Sequence, residues 1–376
     1  MKRSVFILLL AIISSCGGNS SNVSKSSYLD INISMDTVVV DSGDEILMAA
    51  TNEYGHHFNE DRSKSYFWDS KSNLLEIIDL EEMRLQEKKQ FQKEGPNGVG
   101  QFPFQMMLVD DDKVGFIDLG QFNVADMKTE VLSRIKMNED WMKEKIGEKE
   151  SLGILGFTDG GNIMYCSISN YNRLNSNILK VDLENQTTAL IELPEYDKRD
   201  KFKVSFLSEN GNMMSMTYPT LELTKYEDQL IFHSDAFSGI YKLDPVTEVL
   251  SYHQISNTLT ANEKTGTYQN EVTSPEEMEK VMSEMREEVS FSALFWDKEK
   301  RVFYRFTSFD LPRVADEKVK SRVFISIIDE DFEVIGEKEI SQDFKSVPDP
   351  LFIKDGRIHS FLNADDELGY VRIKIN

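Results

Sequence analysis

The stretch "FQKEGPNGVGQF" (91–102) is the part of the sequence that most resembles a ligand-binding loop, because it holds three glycines between two strand-like runs. Glycine-rich loops can bind phosphate, but the P-loop ends in Gly-Lys-Ser/Thr and the dinucleotide fingerprint leads into a helix. Here Gly100 is followed by Gln101, Phe102 and another strand-like run. The sequence therefore predicts a tight turn at Pro96-Asn97-Gly98 and not a nucleotide site.

Other residue types that carry chemistry give weaker signals, since no G-x-S-x-G, H-E-x-x-H or CxxC motif is present. The pair His56-His57 has no carboxylate at metal-ligand spacing, which favours a solvated loop. Cys166 lies in the apolar run "NIMYCSIS" and is predicted to be a small buried side chain. The acidic clusters 329–333 and 363–367 lack the EF-hand frame and are predicted to be turns. No cofactor is expected, although a calcium site assembled between repeats stays open.

The N-terminus has the features of an export signal. Lys2 and Arg3 precede an apolar run from Val5 to Ile13, which is too short to span a bilayer, for which ~20 residues are needed. The run suits a signal peptide. Ser14-Ser15-Cys16 resembles the lipobox of bacterial lipoproteins, which implies a signal peptide over 1–15 and lipid attachment at Cys16. The alternative is an ordinary secretory signal in which Cys16 is incidental.

The segment after the signal and the overall charge restrict location and partners. Residues 16–27 are rich in Gly, Ser and Asn and predict a flexible tether after the lipidated cysteine. The first acid is Asp30, which favours a periplasm-facing protein, with surface exposure as the alternative. The net charge of −23 and pI near 4.7 exclude nucleic acid as a partner, so the expected membrane contact is the lipid itself.

A repeated pattern predicts the fold. Five pairs of strand-like runs carry an acid in the turn between them: Asp79, Asp126, Asp182, Asp244 and Asp329. A sixth copy, "YVRIKIN", ends the chain at Asn376. Most copies follow another hairpin with a polar turn, and two hairpins per repeat are typical of a four-stranded propeller blade. We therefore expect residues 28–376 to form an all-β, six-bladed β-propeller, closed by the N-terminal run 28–41 in the sixth blade.

One helix interrupts this pattern. Ser274, Pro275 and Glu277 have the spacing of an N-cap, a first-turn proline and a capping-box partner. Met and Val then recur at helical spacing, which predicts a helix at about 274–289, inserted between blades four and five. Its apolar stripe is expected to pack against the propeller, with a lid or a partner-docking helix as alternatives. A second, shorter insertion is predicted at 138–150.

Two stretches resemble a known family. "FQKEGPNGVGQF" and "LFWDKEKRVFYRFT" (294–307), behind a lipobox, resemble Bacteroidetes lipoproteins that form six-bladed β-propellers and have a domain of unknown function. The resemblance covers most of the mature chain. It implies a fold and a place in the cell envelope, and it brings no catalytic residues.

Two classes of function remain open at this level. The first is a non-enzymatic binding or scaffold propeller that holds a protein, peptide or glycan. The second is a calcium-dependent propeller hydrolase or lactonase, which the apolar candidate inner strands disfavour. Connections between blades surround the channel mouth of a propeller, so Glu94, Asn97 and Gln101 are predicted to lie on the ligand-binding face. The rival interpretation is that this loop only makes a turn.

Overall fold

The structure, a computed structural model, describes residues 28–376 except 29, 52–54, 102, 171–173, 314–318 and 349–350. The signal peptide, Cys16 and the tether, predicted from residues 1–27, lie outside the described residues. The strands are β1 (Ile33–Val39), β2 (His56–Phe58), β3 (Lys64–Asp69), β4 (Leu74–Asp79), β5 (Arg84–Gln90), β6 (Gln105–Asp110), β7 (Lys113–Asp118), β8 (Gln121–Asp126), β9 (Val131–Lys136), β10 (Ser151–Thr158), β11 (Ile163–Ser169), β12 (Leu174–Asp182), β13 (Thr187–Ile191), β14 (Val204–Leu207), β15 (Met213–Thr217), β16 (Glu222–Tyr226), β17 (Gln229–His233), β18 (Ile240–Leu243), β19 (Leu250–His253), β20 (Glu271–Val272), β21 (Ser290–Phe291), β22 (Phe295–Asp297), β23 (Val302–Asp310), β24 (Ser321–Ile328), β25 (Val334–Glu339), β26 (Leu351–Lys354), β27 (Arg357–Ala364) and β28 (Glu367–Ile375). The α-helices are α1 (Asp140–Lys143) and α2 (Pro275–Arg286), and 3-10 helices span Met48–Thr51, Asp159–Gly161 and Pro194–Phe202.

Most strands belong to antiparallel sheets whose strands follow one another along the chain. Sheet 1 contains β2–β5, sheet 2 β6–β9, sheet 3 β10–β13, sheet 4 β16–β19, sheet 5 β21–β25 and sheet 6 β26–β28 with β1. In sheet 5 both β21 and β22 pair with β23. The predicted all-β chain of repeated four-strand units is confirmed at this level.

The repeated acids hold the turns between the third and fourth strands of sheets 1 to 5. In each turn the carboxylate accepts hydrogen bonds from backbone N–H groups a few residues further on, as Asp126 does from Lys128 and Glu130, both at 2.9 Å. Asp244 and Asp329 act in the same way. Because this bonding is local, the acid is recognisable in the sequence.

The N-terminal run pairs with the end of the chain. All seven residues of β1 pair with β28, from Ile33 opposite Ile375 to Val39 opposite Gly369. Asn32 and Asn376 exchange backbone hydrogen bonds of 3.1 and 2.9 Å just beyond this ladder. Sheet 6 therefore contains three strands from the C-terminal end of the chain and one, β1, from residues 33–39. This is the pairing predicted for the 28–41 run.

Buried apolar clusters lie between sheets that are neighbours in sequence. Trp68, Phe91 and Phe116 join sheets 1 and 2, and the rings of Phe122 and Phe157 stack at 5.3 Å between sheets 2 and 3. Comparable clusters join sheets 3 and 4, 4 and 5, and 5 and 6. A sixth cluster joins sheet 6 to sheet 1, with Phe67 packed in the same core as Tyr370.

The insertions contain more structure than the predicted helix and the predicted shorter segment at 138–150. A three-stranded sheet forms from β14, β15 and β20, in which β14 and β20 run parallel, and the 3-10 helix Pro194–Phe202 precedes it. This sheet is not predicted from the sequence, because β20 has only two residues and pairs with Ser205 and Phe206. Such a pairing depends on chain elements more than sixty residues apart and leaves no local pattern.

Helix α2 follows the predicted capping. The Ser274 side chain accepts a hydrogen bond from the Glu277 N–H at 3.1 Å, and the Glu277 carboxylate accepts one from the Thr273 N–H at 2.9 Å. Val281 is buried, and Met278 and Met285 pack against the core between sheets 3 and 4. The apolar stripe of α2 therefore packs against the rest of the domain, as predicted. The predicted insertion at 138–150 contains α1.

The prediction of a solvated loop at His56-His57 is wrong. Both residues lie in β2, the first strand of sheet 1, opposite Phe67 and Tyr66. The His56 ring lies 5.1 Å from Phe67 and 5.6 Å from Phe361, measured between ring centroids. The local sequence is polar, but aromatic residues from two sheets enclose it, so tertiary packing overrides the local preference.

Candidate functional site

The glycine-rich loop joins β5 to β6, as predicted, and its backbone is fixed by close contacts. The Gly98 N–H donates to the Gly95 carbonyl at 3.1 Å, which closes a turn with Pro96 in its second position. Positive φ values occur at Gly95 (87°) and Gly100 (128°), and not at Asn97 or Gly98. A Cβ on Gly100 would lie 2.3 Å from Asp118 Oδ2, so this position requires glycine.

The three residues predicted for a ligand-binding face are all hydrogen bonded. The Gln101 side chain donates to the Glu94 carboxylate, and the Gln101 backbone N–H donates to Asp118 at 3.1 Å. Asn97 Oδ1 accepts a hydrogen bond from the Val131 N–H at 3.4 Å, at the start of β9. The structure thus places the tip of the loop against the last strand of sheet 2, with the Glu94 and Gln101 side chains exposed.

Arg134 and Asn123 connect this loop to sheet 2. The Arg134 guanidinium donates to the Pro96 carbonyl at 2.9 Å and to Asn123 Oδ1 at 3.1 Å. The buried Asn123 amide donates in turn to the Val99 carbonyl at 2.9 Å. Such a chain of bonds holds the loop in one position relative to β9, which is a requirement for a preformed binding surface.

A cleft of about 760 Å³ lies beside β9, between sheets 2 and 3. One wall is residues 132–136 of β9. Trp141 and Met142 of α1, the turn at 160–162 and the β12–β13 turn with Leu183 form the others. Arg134 contributes to this cleft and also holds the loop, so the two features are adjacent. Its volume falls within the ~300–1,000 Å³ typical of ligand pockets.

The cleft combines apolar and charged groups. Trp141, Ile135 and Leu183 are partly buried and pack on the core between sheets 2 and 3. Lys113 is held by Asp110 at 3.0 Å and by the Gly160 carbonyl at 2.9 Å. Lys136 is exposed and forms no ion pair with any residue that the structure describes. The sequence does not reveal this cleft because its walls come from segments of sheet 2, α1 and two turns of sheet 3 that are far apart in the chain. Trp141, in the predicted 138–150 insertion, is the one local signal of it.

A second group of charged residues holds the insertion against sheet 4. Lys264 is 7% exposed, and burial lowers its pKa although Asp235 and Glu288 oppose the effect. Burial raises the pKa of Asp235, whose carboxylate accepts the Thr220 N–H at 2.8 Å. The Lys264 backbone N–H also donates to the Ala236 carbonyl at 3.0 Å. These contacts fasten the segment before α2 and give the group a structural role.

Several side chains of types that could carry out chemistry occur among the described residues. No set of three or more His, Cys, Asp or Glu side chains among them could hold a metal ion. Cys166 is fully buried, as predicted, and burial raises the pKa of its thiol. Burial lowers the pKa of His233 to about 3 and that of His359 to about 4, so both are neutral at pH 7. None of the helices in these ranges is long and apolar enough to cross a membrane.

Comparison with known proteins places the fold. The family described as "Domain of unknown function (DUF4221)" matches residues 28–339. The structure is similar to a DUF4221 member from Bacteroides vulgatus, at 12% identity and a TM-score of 0.64 over 92% of this chain and 98% of that one. It is also similar to a "putative exported protein" from Bacteroides fragilis, at 11% identity and a TM-score of 0.51 over 92% and 95%. No curated protein matches the chain.

Proposed function

The chain belongs to the DUF4221 family, and we propose that it is a membrane-anchored, exported lipoprotein whose domain binds a protein, peptide or glycan without catalysing a reaction. The cleft between sheets 2 and 3 is the observation that carries this proposal. It offers a concave surface that combines the Trp141 ring with charged and backbone groups.

The proposed domain is a six-bladed β-propeller made of sheets 1 to 6. Six buried clusters support this arrangement, because each contains residues of two consecutive sheets and the last joins sheet 6 to sheet 1. Contacts between the first strands of sheets 1 and 2, 2 and 3, and 3 and 4 also agree with it. Pairing of β1 with β28 would then join the two ends of the chain within the last blade.

Export and anchoring rest on the N-terminal sequence. The lipobox-like Ser14-Ser15-Cys16 and the short apolar run support cleavage before Cys16, and the B. fragilis neighbour is named as an exported protein. In the proposal the tether 16–27 holds the domain just off the membrane, on the periplasmic side.

Replacement of Cys16 by Ser tests the anchor. Without the thiol, acylation is expected to fail, so the domain should leave the detergent phase and appear in the aqueous phase or persist as precursor. Phase partitioning and the mass of the N-terminal peptide report both events. Cys166→Ser is the matched control, because this thiol is fully buried and should leave partitioning unchanged. A Cys16→Ser protein that still partitions like wild type would contradict lipidation.

Substitutions in the loop test the binding role. Glu94→Gln and Asn97→Ala affect an exposed acid and a single 3.4 Å hydrogen bond, so we expect the melting temperature to change by no more than about 1–2 °C. With a partner identified by pull-down and confirmed with purified protein, we expect the loop variants to weaken capture several-fold. Lys71→Gln, at an exposed site on the β3–β4 turn, is the control. Undiminished capture would leave the loop with an architectural role alone.

A further inference from the structure

We propose that the cleft between sheets 2 and 3 binds an extended peptide, which adds to sheet 2 as a fifth strand beside β9. This inference rests on the proposed binding function and makes it specific. β9 is the last strand of its sheet, and among the described residues only the Asn97 side chain, bonded to the Val131 N–H, forms a hydrogen bond on the outer side of its backbone. Five consecutive residues of this strand, 132–136, line the cleft, so the unpaired edge of a sheet lies inside a concave site.

The backbone of β9 directs hydrogen-bonding groups into this space. Met137 donates its N–H to the Gly120 carbonyl of sheet 2 at 3.0 Å. Bonding alternates along an antiparallel pair, so Ile135 also faces β8, and the N–H and C=O groups of Arg134 and Lys136 point the other way. A peptide strand in the cleft would therefore pair with the backbones of these two residues.

The side chain of Arg134 supports this assignment. Its guanidinium is committed to the Pro96 carbonyl and to Asn123, on the side of the glycine-rich loop. Arg134 nevertheless lines the cleft. With the charged end directed elsewhere, the parts of Arg134 left to face the cleft are its backbone and the base of its side chain. The loop thus holds the strand edge that the peptide would use.

The neighbouring side chains define the sequence that this edge would accept. Ile135 faces the apolar core that also contains Trp141 and Leu183, so a peptide residue on that face should be apolar. Lys136 points to the opposite face, is exposed and lacks an ion pair among the described residues, in a chain of net charge −23. Adjacent residues of a strand alternate between faces, so the matching peptide carries an apolar residue next to an acidic one.

The experiment uses the purified full-length protein and defined peptides. The test peptide is acetyl-Thr-Thr-Leu-Glu-Thr-Thr-amide, and a second version has Lys in place of Glu. Two further versions carry N-methyl groups on alternate backbone nitrogens, one on the odd and one on the even positions. Binding is measured by calorimetry and by hydrogen exchange over residues 131–137. We expect the Glu peptide to bind more tightly than the Lys peptide, and only one of the two N-methyl sets to lower affinity tenfold or more.

Variants of Lys136 separate its charge from its backbone. Lys136→Gln should weaken the Glu peptide about 2–5-fold, as expected for one cross-strand charge pair, and should spare the Lys peptide. Lys136→Pro also removes the outward N–H without breaking the β8 ladder, and should weaken both peptides a further 2–10-fold. Lys128→Gln, an exposed cation on the adjacent turn, is the control. If the proline variant loses its cooperative melt, Trp141→Ala provides the second test, with a loss of tenfold or more expected for the Leu-containing peptides.

Strand addition at this edge would be overturned if both N-methyl sets lowered peptide affinity equally. It would also be overturned if substitution of Lys136 and Trp141 left peptide affinity unchanged. Binding of neutral oligosaccharides but not of peptides, with a dependence on Trp141, would overturn it in favour of a glycan site and leave the proposed binding function intact. If no peptide binds but capture of a purified partner is still weakened by Glu94→Gln, strand addition is contradicted and the proposed binding function is retained.

Discussion

Deletion of residues 28–41 is expected to abolish the cooperative thermal unfolding of the domain. The deletion removes β1, all seven of whose residues pair with β28, together with the buried side chains of Tyr28, Ile31 and Val40. Burial of three such side chains contributes about 5–9 kcal/mol at ~1.5–3 kcal/mol each, which approaches the whole stability of a typical domain. The exposed edge of β28 should also promote aggregation.

Two controls make this deletion informative. A variant that starts at residue 28 keeps every described contact of β1 and should melt like the mature protein. Addition of a synthetic peptide with the 28–41 sequence to the deletion variant should restore a cooperative transition, measured by calorimetry, since the strand is supplied in trans. A deletion variant that melts at the wild-type temperature would show that β1 contributes little to the fold.

Acid is expected to destabilise the domain through His233. Burial, with a smaller effect from the Arg305 charge, lowers the pKa of His233 from 6.5 to about 3; its Nε2 lies 3.1 Å from Thr224 Oγ1. Between these two values the unfolded chain binds a proton that the folded chain does not. The free energy of unfolding therefore falls as the pH decreases from 6.5 towards 3, by up to about 4–5 kcal/mol for this residue.

The variant His233→Gln isolates this contribution. Urea unfolding at pH 7.5, 6, 5 and 4 should show a slope of stability against pH that is shallower than wild type by about one proton, or ~1.4 kcal/mol per pH unit. Acidic residues titrate in both proteins, so they cancel in the difference. Phe232→Leu, a neighbouring core substitution, should lower stability equally at every pH. A His233→Gln protein with the wild-type slope would mean that His233 is protonated in the folded state.

Local chemistry made much of the fold readable from sequence. Asp79, Asp126 and Asp182 recur because each accepts hydrogen bonds from its own turn. A hydrogen bond between residues close in sequence produces a local pattern that can be recognised. The same holds for the cap at Ser274, whose partner Glu277 lies three residues away. These features predicted the repeats and the helix before any long-range contact was known.

Contacts between distant segments could not be read in this way. His56 lies in a polar stretch, yet Phe67 and Phe361 from different sheets bury it. Glycine is required at position 100 because a Cβ there would overlap Asp118, and the glycine-rich motif alone does not reveal this contact. Both outcomes depend on which side chains other sheets bring to the same place.

The all-β class, the repeated four-strand unit, the capped helix α2 and the turn that joins β5 to β6 are all encoded locally, because alternation and turn bonding involve residues close in the chain. The parallel pairing of β14 with β20 and the cleft beside β9 depend on long-range packing. That cleft exists because β9 and α1, which are close in sequence, meet the turn at 160–162 and the β12–β13 turn, which lie tens of residues further along the chain. A surface assembled from separate segments takes its shape from packing, which no single stretch of sequence encodes.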